Sequence, residues 1–266
     1  MDTPLLADQR RAVIRDAVAR AGAVRMADLV ARLGVSEMTI RRDIAALAEL
    51  GVLSRVHGGA VARTGSATEP AFTEKATRAG AQKTAIARAV ADLVPAGTSL
   101  GLTAGTTTAA VATALTRLPH VATLSVLTNS PPAADILFAQ PHAPTLVVTG
   151  GEPTPSAALV GPVAASVCST FHLDTLVLGV SGMDAAAGLT SPTLAEADTL
   201  AAFLRASSRV VVAADSSKWG TTALRTIAGW DAVDVLVTDD GLPADALEHL
   251  RDVVDVRLAT TPEGPR

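Results

Sequence analysis

Apolar positions along the chain follow two different rhythms, and the change falls near residue 62. Over residues 8–50 they recur at spacings of three and four, the period of helices that bury one face. A first helix is predicted from Asp8 to about Arg20, with Val13, Ile14, Ala17 and Val18 on one stripe, stopping near Gly22. A shorter one spans Met26 to Leu33, with Leu29, Val30 and Leu33 apolar, and Gly34 ends it. A third starts at Ser36, a good N-cap, and continues to Leu50 before Gly51. The β-rich run "VLSRVHGGAV" then predicts a small hairpin, and "ARTGSATEPA", small, polar and turn-rich, reads as a linker.

Beyond the linker, short and uniformly apolar runs take over: "TSLGL", "VATLSVLT", "TLVVT", "TLVLGV", "RVVVAA" and "VDVLVT". Helix-like segments alternate with them near 82–94, 106–118, 131–140, 158–170, 194–207 and 243–251. Apolar strands alternating with helices predict a parallel sheet covered on both faces. The expected organisation is a small helical domain over 1–61, a linker over 62–80, and a larger Rossmann-like α/β domain with a mostly parallel sheet over 81–266.

Composition narrows the function classes. Hydrophobic residues reach 48%, enough for a core, while aromatics are 2% and tyrosine is absent, which disfavours base stacking on single strands. The single cysteine, Cys168, excludes an internal disulfide and a cysteine-rich zinc cluster, and reads as a buried small hydrophobe. No metal and no cofactor is expected. The polar start "MDTPLLADQRR" does not read as a signal peptide, and no apolar run is long enough to span a membrane, so a cytoplasmic location is expected. The net charge of −4 divides into +3 over residues 1–63 and −7 over the remainder. A basic end on an acidic body suggests two parts with different partners, the basic one with nucleic acid.

The third predicted helix carries the chemistry that fits this charge. Ile40, Ile44 and Leu47 form its inward face, with Met38, Arg42 and Glu49 opposite and Thr39 and Arg41 flanking. A helix opening "SEMTIRR" can enter a major groove. There, Arg41 and Arg42 can pair with guanine or phosphate, the Ser36 and Thr39 hydroxyls can contact phosphate, and Glu37 can accept from a cytosine amino group. The hairpin would add Arg55 and His57 as a wing, although His57 reads equally as a loop histidine bonding its own turn. The double arginine alone would fit a solvated face; the short helix, the tight "LGVS" turn and the capped third helix make it a groove reader.

In the second part, each apolar run ends in small polar residues. "GLTAGTTT" follows the first, Thr128–Asn129–Ser130 the second, Gly150–Gly151 the third, "SGMD" (Ser181–Asp184) the fourth, and "ADSSKWG" the fifth. In open α/β sheets such strand ends line the ligand crevice. Gly105–Thr106–Thr107–Thr108 opens a helix, so backbone N–H groups and the helix dipole can hold a phosphate, with Lys218 adding a point charge. Taken singly, the threonines would serve as ordinary N-caps and Lys218 as a surface lysine. The sequence matches neither the dinucleotide pattern nor the P-loop.

The series Val24–Val61, "VRMADLVARLGVSEMTIRRDIAALAELGVLSRVHGGAV", resembles the winged helix-turn-helix of the DeoR family of bacterial transcriptional regulators, with the motif proper over about Val24–Asp43. The pieces "QKTAIARAVADLVPAG", "AGTTTAAVATAL", "TNS", "TGG", "LVGP", "LGVSGMD", "GLT" and "ADSSKWG" are similar to that family's C-terminal sensor domain. Its fold is akin to ribose-5-phosphate isomerase. The resemblance implies operator DNA and a phosphorylated sugar or polyol as partners, a homodimer or higher oligomer, and release from DNA on effector binding. It implies an effector site at Thr103, Gly105, Thr106, Thr107, Thr108, Asn129, Gly151, Gly182, Asp184 and Lys218. One departure bears on ligand identity: the family pattern "L-D-A-G-T-T" reads "LTAGTT" here, so Thr103 stands in place of an acid.

Two other readings remain. An aldose–ketose isomerase would need a general base and an electrophile, for which Asp184, Glu196 and Lys218 are the available trio. A DNA binder whose second domain no longer senses a ligand is the other. The expected function is a ligand-responsive regulator, a repressor rather than an enzyme.

Overall fold

The computed structural model describes residues 7–21, 23–49, 53–56, 58–62, 72–76 and 79–260. The chain divides into two compact units, 1–66 and 67–266. His57 and most of the segment read as a linker lie outside the described residues.

The first unit runs α1 (Ala7–Ala21), β1 (Ala23–Arg25), α2 (Met26–Leu33), α3 (Glu37–Glu49), β2 (Leu53–Val56) and β3 (Gly59–Ala62). Its apolar stripes meet as the spacing predicts: Ile14, Val18, Leu29, Ile40, Ile44, Leu47 and Leu53 form one buried cluster. Gly34 closes α2 at φ +63, and its N–H bonds back to the Val30 carbonyl, a turn that a residue with a side chain rarely adopts. The hairpin β2–β3 gains a third strand, because β1 pairs antiparallel with β3. Three residues between two helices carry no alternation to read, so β1 had no sequence signal.

In the second unit come α4 (Phe72–Ala76), α5 (Gly80–Ala91), β4 (Ser99–Leu102), α6 (Thr106–Leu115), β5 (Ser125–Thr128), α7 (Pro131–Phe138) and β6 (Thr145–Val148). Two short strands, β7 (Glu152–Pro153) and β8 (Leu159–Val160), precede α8 (Pro162–Cys168) and β9 (Thr175–Leu178). The chain continues through β10 (Gly182–Asp184), β11 (Gly188–Ser191), α9 (Leu194–Arg205), β12 (Val210–Ala213), β13 (Arg225–Ala228), β14 (Val235–Asp239), α10 (Ala244–Arg251) and β15 (Asp255–Ala259).

A seven-stranded sheet in the order β15-β14-β12-β9-β4-β5-β6 forms the centre, and every neighbouring pair is parallel. Alternate strand residues enter different cores, which explains the uninterrupted apolar runs. Val177, Val211 and Val237 pack with Ile86, Val90, Val111, Leu115 and Leu137 from α5, α6 and α7. Leu176, Leu178, Val212 and Leu236 pack with Cys168, Leu200, Phe203 and Leu250 from α8, α9 and α10.

Several features depart from the sequence expectation, among them β8, which takes the start of the segment read as a helix near 158–170, so that α8 begins only at Pro162. In "VATLSVLT" a one-turn 3-10 helix, Val121–Thr123, precedes the strand, which begins only at Ser125. The edge strand β15 has mixed polarity because just part of it is covered. A small antiparallel sheet, β10-β11-β13, stands apart from the main one.

Candidate functional sites

The outward side of α3 presents the residues expected to read DNA. Ser36, Glu37, Met38, Arg41 and Arg42 are exposed, and Thr39 is half-buried. The Ser36 hydroxyl accepts the Thr39 N–H at 3.3 Å and bonds the Thr39 hydroxyl at 2.9 Å, so both take part in capping α3. Glu37 and Arg41 form an exposed ion pair one turn apart, 2.6 Å between Oε1 and Nη2. Arg55 lies on β2, but its side chain is outside the described residues, as is the whole of His57.

Beneath this face sits a residue that the sequence reading passed over. Asp43 is 2% exposed. Its Oδ2 receives Arg10 Nε at 2.9 Å and its Oδ1 receives Arg11 Nε at 3.2 Å, both from α1. The signal was available: Asp43 is an acid within the inward stripe of Ile40, Ile44 and Leu47, and a buried charge needs partners. The pairing fastens α3 to α1 and thereby fixes the angle of its outward face.

In the second unit the topology itself creates a crevice. From β4 the chain moves outward through β5 and β6, then crosses back to place β9 on the opposite flank of β4. The connections leaving β4 and β9 therefore diverge to different sheet faces, the arrangement that opens a cleft at strand carboxyl ends. A cleft lies there, lined by Ala104–Thr108 after β4, Gly179–Ser181 after β9, and Phe72, Ser156, Glu196 and Ala213. It encloses about 40 Å³, room for roughly three water-sized groups, and measures about 430 Å³ with its open mouth.

Gly105 makes the sharp entry into α6 at φ +144, and the Thr108 hydroxyl donates back to the Gly105 carbonyl at 3.0 Å. The N–H groups of Thr106, Thr107 and Thr108 form the first turn of α6, where no preceding helical carbonyl can accept them. They and the positive end of the helix dipole suit an oxyanion. Gly179 matters for its missing side chain: a Cβ there would stand 3.2 Å from Thr108 Cγ2 and 3.3 Å from the Ala104 carbonyl oxygen.

The other expected effector residues take different places. Thr103 is fully buried, outside the cleft lining, and its hydroxyl accepts the Gly179 N–H at 2.9 Å, tying the ends of β4 and β9 together. Asn129, also fully buried, clasps Ala104 and Leu159. Gly151, at φ +117, packs against the Val160 backbone, and Gly182 lies against the Thr221 carbonyl. Asp184 Oδ1 accepts the N–H groups of Ala186 and Ala187, each at 2.9 Å, capping the turn from β10 to β11. Lys218 is half-buried in the one-turn helix Ser216–Lys218, which Asp239 fastens by accepting the Ser216 N–H and hydroxyl, both at 2.7 Å. Of the isomerase trio, Glu196 alone lines the cleft.

Glu196, Ser156, Ser181 and Phe72 are cleft residues that the sequence reading did not assign to an effector. Phe72 opens α4, inside the interval read as a linker, and its N–H donates to the Pro155 carbonyl at 3.2 Å. A single large apolar residue in a polar stretch gives no periodic signal.

A helix-turn-helix reader joined to an α/β domain with an oxyanion-suited cleft defines a transcriptional regulator with a ligand sensor. Residues 10–65 match the DeoR-like helix-turn-helix domain and residues 78–240 the DeoR C terminal sensor domain, so the chain belongs to the DeoR family. It is 33% identical to the glycerol-3-phosphate regulon repressor of Escherichia coli K12 over 92% of this chain and 95% of that one. It is 33% identical to the HTH-type transcriptional regulator GlpR of Haloferax volcanii, over 82% and 84% respectively. Among solved structures, ribose 5 phosphate isomerase A from Neisseria gonorrhoeae aligns over 52% of this chain and 53% of that one, at 17% identity and a TM-score of 0.37. Among the described residues, no helix is long and apolar enough to cross a membrane, and no group of three or more His, Cys, Asp or Glu could hold a metal ion.

Proposed function

We propose that the protein represses an operon of carbohydrate or polyol metabolism and leaves its operator when a phosphorylated sugar or polyol occupies the cleft. The observation that supports this reading is the start of α6: Thr106–Thr108, whose first-turn amides have no helical acceptor, line a cleft at the point where β4 and β9 diverge. The E. coli relative named for the glycerol-3-phosphate regulon supports the choice of a phosphorylated effector and of repression.

On this reading the outward side of α3 enters the major groove, with Arg42 exposed and, among the described residues, in no ion pair, and Arg41 exchanging Glu37 for DNA. Two copies would act together as a homodimer, or within a larger oligomer, in the cytoplasm, reaching half-sites about one turn apart. Effector binding favours a dimer arrangement that no longer spans both half-sites, a shift set by the effector's differential affinity for the two states. No catalytic role is assigned. Among the described residues of the lining, Glu196 is the one carboxylate and neither Asp184 nor Lys218 joins it, which supports recognition rather than isomerisation.

The test is a panel of phosphorylated sugars and polyols assayed for thermal stabilisation and for release of the protein from the DNA upstream of its own gene. An effector at about 100 times its Kd adds about 2.7 kcal/mol of stability. Stabilisation without release would support binding but contradict the regulatory role.

A further inference from the structure

Most of the cleft wall comes from strand ends of the main sheet, and these are fastened from behind. The Thr103 hydroxyl accepts the Gly179 N–H, and Asn129 ties Ala104 to Leu159. Phe72 is held differently. It opens α4, a five-residue helix that is the first described element of the second unit, and residues 63–71 connect it to β3. Among the described residues of the lining it is the one aromatic side chain.

Phe72 also stands on a border. Besides the cleft it lines an adjoining groove of about 510 Å³, shared with Ala76, Lys83, Ala109, Thr113 and Ile136 from α4, α5, α6 and α7. Phe72 therefore borders two open spaces, and it is half-buried rather than sealed in a core. Its N–H donates to the Pro155 carbonyl, in the turn that places Ser156 in the cleft lining. Ala157 in the same turn holds φ +57, a left-handed conformation that a residue with a side chain rarely adopts. A short helix beside open space, tied to a strained turn, shifts at less cost than the strand ends opposite. The start of α6 suits an oxyanion, and the face of an aromatic ring suits the C–H groups of a carbon skeleton. A ligand carrying both touches the fixed wall and the movable one together.

We infer that Phe72 couples the cleft to the DNA-binding unit: it packs on the carbon skeleton of a phosphorylated effector, and the resulting shift of α4 passes along the chain to β3. The effector gains its contact with Phe72 in the state that releases DNA, which supplies the differential affinity that a population shift requires. The inference rests on the reading that the cleft seats a phosphorylated effector whose binding releases DNA.

Calorimetric titration of the full chain tests it with glycerol 3-phosphate, ribose 5-phosphate, glucose 6-phosphate and fructose 6-phosphate, each without and with saturating DNA from upstream of its own gene. Coupling is reciprocal, so DNA weakens the effector by the same factor by which the effector weakens DNA. At least one probe is expected to bind the wild-type protein about tenfold or more weakly when DNA is present. Phe72→Ala is expected to keep wild-type affinity for DNA and to bring that ratio to about twofold or less, while still binding the probe in the absence of DNA. Phe72→Leu keeps the apolar bulk and loses the flat face; it is expected to keep the wild-type melting temperature and to lower the ratio about threefold. A wild-type ratio in folded Phe72→Ala would refute the role, and should that variant fail to fold, a wild-type ratio in Phe72→Leu would do so. Loss of all probe binding in folded Phe72→Leu would also refute it, leaving Phe72 a binding residue alone. If no probe binds the wild-type protein, or each binds equally with and without DNA, the reading of a releasing effector and this inference fall together.

Discussion

The side-chain oxygen of Asn129 accepts the N–H of Ala104 at 2.8 Å, across the sheet from the end of β5 to the turn that opens α6. The same side chain donates from its nitrogen to the Leu159 carbonyl at 2.9 Å, and the Asn129 carbonyl accepts the Leu159 N–H at 2.8 Å. Asn129 therefore positions the cleft from behind. Asn129→Ala leaves the Ala104 N–H and the Leu159 carbonyl without these partners, at a cost of about 1–3 kcal/mol. Thermal unfolding is expected to show that loss, with a weaker effector response and unchanged affinity for DNA in the absence of effector.

Gly179 offers a direct block. Even a Cβ there would crowd Thr108 and the Ala104 carbonyl, so the branched side chain of Gly179→Val presses on the turn that opens α6. The variant is expected to bind operator normally and to lose effector binding by about 100-fold, or about 2.7 kcal/mol. Operator release titrations would read this as a repressor that no longer responds.

Removing the acid beneath α3 acts on the other unit. Asp43→Ala leaves Arg10 and Arg11 without the carboxylate that both engage. Arg11 is partly exposed, so the loss is expected to be about 2 kcal/mol, below that of a fully buried pair. Operator affinity should fall with it, while effector binding measured by calorimetry stays at the wild-type level.

Arg42→Ala removes an exposed cation without touching the core. If Arg42 reads a base, operator affinity falls by about 1–3 kcal/mol and discrimination at one position relaxes; if it holds a phosphate, affinity falls evenly and the salt slope drops by about one. Wild-type operator affinity in this variant would remove α3 from the groove.

Burial pushes the Cys168 thiol up from its ordinary value to about 11. The folded state therefore favours the protonated thiol, and its contribution is complete below the unfolded value near 9 and lost as pH rises through about 11. Native protein at neutral pH is expected to resist thiol reagents, and Cys168→Ala should flatten the loss of stability between pH 9 and 11.

Much of this fold was legible because its elements obey simple periods. Ile40, Ile44 and Leu47 announce a helix face, and the unbroken apolar character of "TLVLGV" announces a strand buried on both sides. The small sheet of β10, β11 and β13 was not legible, since its strands are brief and pair across distant stretches of chain. At the cleft, the helix start at Gly105–Thr108 could be read from local chemistry alone. Thr103, Asn129 and Asp184 could not be sorted from it: a polar residue at a strand end looks the same whether it faces a ligand or fastens the loop behind it.

The most direct test of the central claim is fluorescence anisotropy of labelled operator bound by wild-type protein and by Gly179→Val, titrated in parallel with phosphorylated sugars and polyols. At least one compound is expected to release the wild-type protein, and the variant to stay bound at the same concentration. Failure of every compound to release the wild-type protein, or equal release of the variant, would contradict it.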